Sequence, residues 1–173
     1  MVASIPLAGL PGAIGAGPSG LWVTGRGGPI WRVDPTRNRV AATIAVPGGL
    51  GGLPARAGPA GQSGHVLASG DAVWIADPAS AAVLHVDPGR NQVVGRELAD
   101  GPGLALAAGT VWGTLGTSLV ALGGTDRREI LLPDFGASPV DQRLPITELV
   151  AGSDALWVAG PAGLLRLALG RLG

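Results

Sequence analysis

The two histidines are the first residues to consider for chemistry. His65 and His85 could bind a divalent metal or act as acid and base, which would require a carboxylate beside each imidazole. Neither lies in a loop with a neighbouring carboxylate, and no Ser-His-Asp order or HExxH pair is present. The glycines form no GxGxxG motif between a strand and a helix. The sequence therefore indicates no catalytic set, no metal site and no cofactor.

Two aspartates recur in one short motif. The residues DPTRN at 34–38 return as DPGRN at 87–91, each time between two apolar runs. Aspartate can accept hydrogen bonds from backbone amides, and the proline that follows it has its own φ fixed near the value that a turn requires. Asparagine tolerates the left-handed region at the end of the turn. The motif predicts a tight turn and not a metal-binding or catalytic aspartate.

Short strands are expected to position these residues. At four places along the chain, a tryptophan lies in a short apolar segment. The four are Trp22, Trp74, Trp112 and Trp157, separated by 52, 38 and 45 residues. That period is close to the length of one four-stranded propeller blade. Since the tryptophans share one position of a repeat, we predict that each is mostly buried and structural.

The composition agrees with many short strands. The 31 glycines and 15 prolines fall between apolar runs, and 46% of the residues are hydrophobic. No apolar pattern of helical period is longer than about three turns. The sequence predicts an all-β protein, a β-propeller of four-stranded antiparallel blades, with four blades in a single domain of residues 1–173.

The last blade is expected to have only three strands of its own. Residues 2–8 resemble the outer strand of the first blade at 41–47. We predict that this N-terminal strand pairs near Leu164–Leu169 and completes the last blade, which would close the ring and protect its sheet edges. Alternatively, the chain is part of a larger ring or one half of an assembled one.

The repeat resembles that of the bacterial YVTN and YncE-like propellers, which include virginiamycin-B-lyase-like proteins. The resemblance rests on an apolar pair with an aromatic residue, then a strand ending in VDP, best seen at 20–46 and 72–98. It implies the propeller fold and little about activity. Members of that group usually have about seven blades, whereas this chain has four. Their lyases use a histidine, an acid and a divalent metal, a set that cannot be matched here.

Two long connections between blades are the best candidates for a binding site. Residues 47–64 join the first two blades and residues 133–145 join the last two. Both should lie on the propeller face that carries the loops between second and third strands, and such loops commonly bind ligands. The predicted ligand-binding residues on this face are Arg26, Arg56, Asp77, Asp134, Phe135 and Arg143, and Asp141 is expected on the same face. The alternative is that both connections are solvated linkers.

Charge and composition limit the partners. All twelve basic residues are arginine and twelve acids balance them, so the basic surface that nucleic-acid binding requires is lacking. The absence of cysteine excludes disulfides and thiolate metal sites. We expect a protein or a small polar ligand as partner, with self-association if the ring is incomplete. The sequence is rich in alanine, glycine, arginine and proline and has no lysine. This composition indicates a high-GC genome, such as an actinobacterial one.

The segment is expected to be soluble. It has no apolar stretch of about 18 residues, and prolines interrupt its uncharged first 25 residues, which also lack the basic start of a signal peptide. If the protein is the extracytoplasmic part of a larger one, its export signal lies outside this segment.

Three functions remain open on the sequence. The leading interpretation is a non-catalytic propeller that binds a ligand or partner, of a sensor or scaffold type. The second is a metal-dependent lyase like the virginiamycin B lyases, or a hydrolase, with its site split across chains or lost. The third is a structural remnant of a longer propeller. Enzymatic activity is the less favoured interpretation.

Overall fold

The computed structural model describes residues 3–50, 66–101, 103–125, 127–132, 146, 148–160 and 163–172. Its strands are β1 (Pro11–Gly17), β2 (Gly20–Gly25), β3 (Ile30–Asp34), β4 (Arg39–Ile44), β5 (Val66–Ser69), β6 (Ala72–Asp77), β7 (Ala82–Asp87), β8 (Gln92–Leu98), β9 (Ala105–Ala107), β10 (Thr110–Leu115), β11 (Ser118–Leu122), β12 (Glu129–Leu131), β13 (Glu148–Ala151), β14 (Ala155–Gly160) and β15 (Gly163–Ala168). Two three-residue 3-10 helices, Pro78–Ser80 and Leu169–Arg171, are the helical elements of the described residues.

The strands form four antiparallel sheets in chain order, and each sheet is one blade. Blade one is β1-β2-β3-β4, blade two β5-β6-β7-β8, blade three β9-β10-β11-β12, and blade four β13-β14-β15. The all-β class and the blade architecture of a β-propeller are as the sequence predicts.

The repeated aspartate motif forms the turn between the third and fourth strands of blades one and two. Asp34 Oδ1 accepts from the amides of Thr36 at 2.9 Å and Arg37 at 3.1 Å. Asn38 follows with a φ of 49°, and Asn91 has a φ of 52° at the same place in blade two. The carboxylate accepts hydrogen bonds from the amides that have no strand partner where the chain reverses direction. The predicted role of the motif as a tight turn is confirmed.

The hydrophobic core lies between the blades. One cluster around Trp22 joins blades one and two, and a second around Trp74 joins blades two and three. A third around Trp112 joins blades three and four. These tryptophans are 0%, 5% and 1% exposed, which confirms their predicted burial, whereas Trp157 of blade four is only partly buried.

The N-terminal segment does not complete blade four, and that prediction was wrong. Residues 3–10 form no strand, and Ile5 and Leu7 pack instead on Val23, Trp31 and Val33 of blade one. The clusters of the described residues join each blade to the next, and none of them joins blade four back to blade one. The ring of described blades is open, and β15 pairs with β14 and with no other strand of the described residues.

Candidate functional site

The loops between second and third strands and the connections between blades lie on one face, which we call the BC/DA face. In blade one, a Cβ on Gly49 would lie 3.0 Å from the carbonyl oxygen of Gly27. In blade two, the Ala99 amide donates to the Ala81 carbonyl at 3.3 Å. In blade three, the Leu132 amide donates to the Thr117 carbonyl at 3.0 Å. The sequence-based placement of these loops on one face is therefore correct for the described residues.

Arg26 is the predicted site residue that projects from this face. It lies in the turn between β2 and β3, where its amide donates to the Leu10 carbonyl at 2.9 Å and its side chain is exposed. The backbone bond holds the turn against the chain entering β1, so the guanidinium extends from an anchored position. An exposed guanidinium can pair with a carboxylate, a phosphate or a carbonyl oxygen.

Asp77 belongs to the same face, but its carboxylate does not point outward as the sequence analysis expected. It ends β6 and is 6% exposed, and its Oδ2 accepts from the Ser80 hydroxyl. Ala81 then adopts a left-handed φ of 48°, and the chain returns into β7. Asp77 therefore shapes its own loop, because its carboxylate oxygen accepts the hydrogen bond from the Ser80 hydroxyl of the same loop.

The other predicted site residues lie outside the described residues. They are Arg56, Asp134, Phe135, Asp141 and Arg143, together with the histidine His65. Of the predicted set, the structure therefore places Arg26 in blade one and Asp77 in blade two, on one face but in separate loops.

His85 packs against a tryptophan. Its ring lies parallel to that of Trp74, its cross-strand neighbour, with centroids 4.3 Å apart and planes 8° from parallel. Among the described residues, no three side chains of the histidine, aspartate and glutamate types are grouped so that they could hold a metal ion. The stacking accounts for this histidine as a packing residue.

The same kind of packing recurs in every blade, which the sequence analysis missed. Guanidinium carbons lie over tryptophan rings at 5.6 Å for Arg32 on Trp22 and 5.9 Å for Arg166 on Trp157. Arg128 lies 5.5 Å from the Trp112 ring. A cation over an indole face is attracted by the ring quadrupole. The signal in the sequence is an arginine or a histidine opposite the tryptophan on the third strand of blades one, two and four.

Arg32 also joins two blades on the opposite face, which carries the loops between first and second strands and the aspartate turns. Its Nε donates to the Ser19 carbonyl at 2.8 Å. Its Nη1 donates to the Pro88 carbonyl at 2.7 Å and to Asn91 Oδ1 at 3.2 Å in blade two. A shallow cavity of about 370 Å³ lies here, lined by Pro18, Ser19, Arg32, Gly70, Asp71, Pro88 and Gly89. Because the Arg32 donors are engaged within the chain, this cavity is a weaker candidate site than the BC/DA face.

The turn aspartates are held in their ionised form. Hydrogen bonds from the Thr36 hydroxyl and then from Arg37 lower the pKa of Asp34 well below its usual range. The amide of Arg90 is the largest cause that lowers the pKa of Asp87. A carboxylate whose ionised form is stabilised in this way is a poor general acid or base near neutral pH. Both aspartates maintain turns.

Comparison with known proteins shows the fold. No protein-family model matches the chain, and no curated protein matches it in sequence. A catalytically inactive virginiamycin B lyase from Staphylococcus aureus, solved with Quinupristin, has a TM-score of 0.63 and 18% identity. The match covers 92% of this chain and 53% of the lyase, so the chain spans about half the length of that protein.

Two further solved structures resemble the chain. The extracellular domain of a hybrid two-component system from B. thetaiotaomicron has a TM-score of 0.61 and 13% identity, covering 94% of this chain and 23% of the other. BamB from Moraxella catarrhalis has a TM-score of 0.51 and 15% identity, covering 90% and 43%. The neighbours have different functions, and at these identities they support the propeller fold alone. Within the described part of the chain, no helix has the length and apolar character needed to cross a membrane.

Proposed function

We propose that residues 1–173 act as one non-catalytic propeller domain, or as part of a larger propeller, that binds a ligand or a protein partner in a sensor or scaffold role. The observation that carries this proposal is the convergence of loops on the BC/DA face, with the Arg26 guanidinium exposed above an anchored turn. Rigid blades that hold variable loops at one face form a common binding architecture.

The proposed ligand-binding residues are those that the sequence places on this face. Arg26, Arg56 and Arg143 supply guanidinium donors, Asp134 an acceptor, and Phe135 an apolar contact. Asp77 shapes the loop through its bond from Ser80. Each charge-assisted hydrogen bond to an anionic or polar group would contribute roughly 1–3 kcal/mol. A polar or anionic small molecule, or an acidic segment of a protein, therefore suits this face.

The test is a binding screen against peptides, glycans and small anions, followed by variants. The Arg56→Gln, Arg143→Gln double variant should weaken binding of any hit by at least about tenfold, since about 1.4 kcal/mol is a factor of ten. The matched control is Arg37→Gln, Arg90→Gln, which removes the same charge from the exposed aspartate turns of the opposite face. Equal weakening by both pairs, or binding that is lost with His65→Ala instead, would refute this site.

The second candidate is a metal-dependent lyase, which the similarity in fold to a virginiamycin B lyase brings into consideration. It would need a metal at His65 or His85. The stacking of His85 on Trp74 favours packing for that residue. Divalent-ion binding that disappears in His65→Ala would support the lyase against the binding module.

The setting of the domain belongs to the same proposal. A sensor role outside the cytoplasm, as part of a larger protein, is compatible with the extracellular domain of the two-component system that resembles this chain. The open arrangement of the blades also favours self-association.

A further inference from the structure

Blade four presents a face that the other blades bury. Trp22, Trp74 and Trp112 lie at one position of the repeat and are covered by the following blade, at 0%, 5% and 1% exposure. Trp157 is at the same position and is only partly buried. Its cross-strand neighbour Val150 is 56% exposed. We call this surface of β13, β14 and β15 the leading face.

Blade one presents the complementary face. Ile14 pairs with Val23, as Val66 pairs with Ile75 in blade two and Leu149 with Val158 in blade four. The exposure of Val66 is 7% and that of Leu149 is 2%, because the preceding blade covers them. The exposure of Ile14 is 64%. We call this surface of β1, β2 and β3 the trailing face.

The N-terminal segment already lies on the trailing face, in the place of an outer strand. Ile5 and Leu7 pack on the cluster of Val23, Trp31 and Val33. In the same way, Ile44, the last residue of the fourth strand of blade one, and Val46, two residues beyond it, pack on the residues that blade two contributes to the shared cluster. The segment therefore occupies the position of a fourth strand belonging to a blade in front of blade one.

Blade four has a free position for such a strand. Its sheet has three strands in the described residues, and Leu164 on the edge strand β15 is 66% exposed. After β15 the chain turns away through Leu169–Arg171, and Leu172 packs back into the cluster between blades three and four. Within the part of the chain that the structure describes, no strand pairs with the outer edge of β15.

The polar groups of the leading face and the trailing face are complementary, as those between blades one and two are. Arg32 faces Trp22 and donates across to the Pro88 carbonyl and Asn91 of the following aspartate turn. Arg166 faces Trp157 in the same way and pairs with the exposed Asp154. The aspartate turn of blade one, at 34–38, has the same sequence pattern and supplies the same carbonyl and asparagine oxygens on the trailing face.

We propose that two copies of this chain associate head to tail, the leading face of each on the trailing face of the other, to close a ring of eight blades. The N-terminal segment of each copy lies beside β15 of its partner as the fourth strand of blade four. Arg166 donates to the partner's turn at 34–38, as Arg32 does to 87–91 within the chain. Eight blades are within the range of known propellers, and a head-to-tail contact is stable as a discrete assembly when the rotation closes.

The contacts within the chain favour a second copy as the occupant, because they already show how two blades meet. A Cβ on Gly15 would lie within 3 Å of Val66, so these two positions oppose each other across the contact of blades one and two. Val150 corresponds to Gly15 and Ile14 corresponds to Val66 in the register of the strands. Leu67 of blade two has the same register position as Gly15 and Val150 and packs in the cluster between blades two and three, so a branched side chain is accommodated at this position between blades. Val150 of one copy therefore faces Ile14 of the other.

Sedimentation of the full chain at about 100 μM, well above the Kd of a micromolar interface, tests the proposal. The wild-type protein should have twice the 17.0 kDa chain mass. Val150→Glu and Ile14→Arg should each raise the dissociation constant by about a hundredfold or more, since each buries an unpaired charge. An equimolar mixture of these two variants should restore the dimer, because one of its two interfaces then pairs the new charges and the other is unchanged.

The matched control is Val94→Glu, a valine of similar exposure, 47%, on the fourth strand of blade two. It should leave the dimer intact. Circular dichroism of every variant verifies that the blades are folded. A monomeric wild-type chain at this concentration, open filaments in place of a dimer, or no restoration on mixing of folded variants would each overturn the proposal.

Discussion

Two tryptophans at one repeat position, Trp22 and Trp157, should differ greatly in what they contribute to stability. Trp22 is 0% exposed in the cluster between blades one and two, whereas Trp157 is only partly buried on the leading face. The comparison is made in an Ile14→Arg background, so that association of chains does not contribute to the result and the cross-strand neighbours of both tryptophans are unchanged. Each tryptophan is then replaced by alanine.

The expected loss follows from the buried area. A buried tryptophan removes about 150–250 Å² from water, which at about 25 cal/mol per Å² amounts to about 4–6 kcal/mol as an upper bound. Trp22 Nε1 also donates to Ser19 Oγ at 3.0 Å. We expect Trp22→Ala to lower the free energy of unfolding by about 3–5 kcal/mol. Trp157→Ala should lower it by about 1–2 kcal/mol, because solvent already reaches its ring.

Urea unfolding followed by far-UV circular dichroism measures both losses without relying on tryptophan fluorescence. Trp22→Phe should recover part of the loss and keeps the comparison usable if the alanine variant is too unstable to fold. Equal losses at the two positions, or a larger loss at Trp157, would refute the inference that only the first is covered by a following blade.

Three further predictions concern contacts within the chain. Gly17→Ala should lower stability in thermal unfolding by about 1–3 kcal/mol through overpacking, since its Cβ would lie 2.6 Å from atoms of blade two. Gly170→Ala, which has open space around its Cβ, should be neutral or slightly stabilising. Equal effects of the two variants would contradict this packing. The lowered pKa of Asp34 means that its contribution to stability is present above about pH 4 and is lost as the pH falls through the folded pKa. Thr36→Val should therefore raise the pKa of Asp34 in an NMR titration, and an unchanged pKa would exclude the hydroxyl as its cause. Arg32→Gln should lower the unfolding free energy by about 1–3 kcal/mol in urea, and no loss would mean that its bond between blades is not formed in solution.

The candidate site was predictable only in part. The position of the loops on one face follows from strand order, so the exposure of Arg26 was foreseeable. The burial of Asp77 was not, because it depends on how the short Pro78–Ser80 helix turns the Ser80 hydroxyl toward the carboxylate. Whether Arg56 and the long connections form a binding surface remains a prediction.

The sequence by itself determined the features that depend on neighbouring residues. The turns at 34–38 and 87–91 are set by side chains that bond amides two and three residues away. The alternation of apolar and polar residues then decides which face of each strand is buried. For these reasons the blades, their order and the structural role of the repeated tryptophans could be inferred without coordinates.

Only the tertiary structure decided how the ends of the chain lie. The bond from Arg32 to Pro88, the packing of Ile5 on blade one and the exposure of Trp157 all depend on how one blade is placed against the next. Residues 2–8 have the sequence pattern of an outer strand in either location. The pattern shows that one side of the strand is apolar, but it does not show which sheet that side packs against. That choice depends on the rotation between blades, a sum of contacts between residues far apart in sequence, and this rotation leaves the four blades as an open ring.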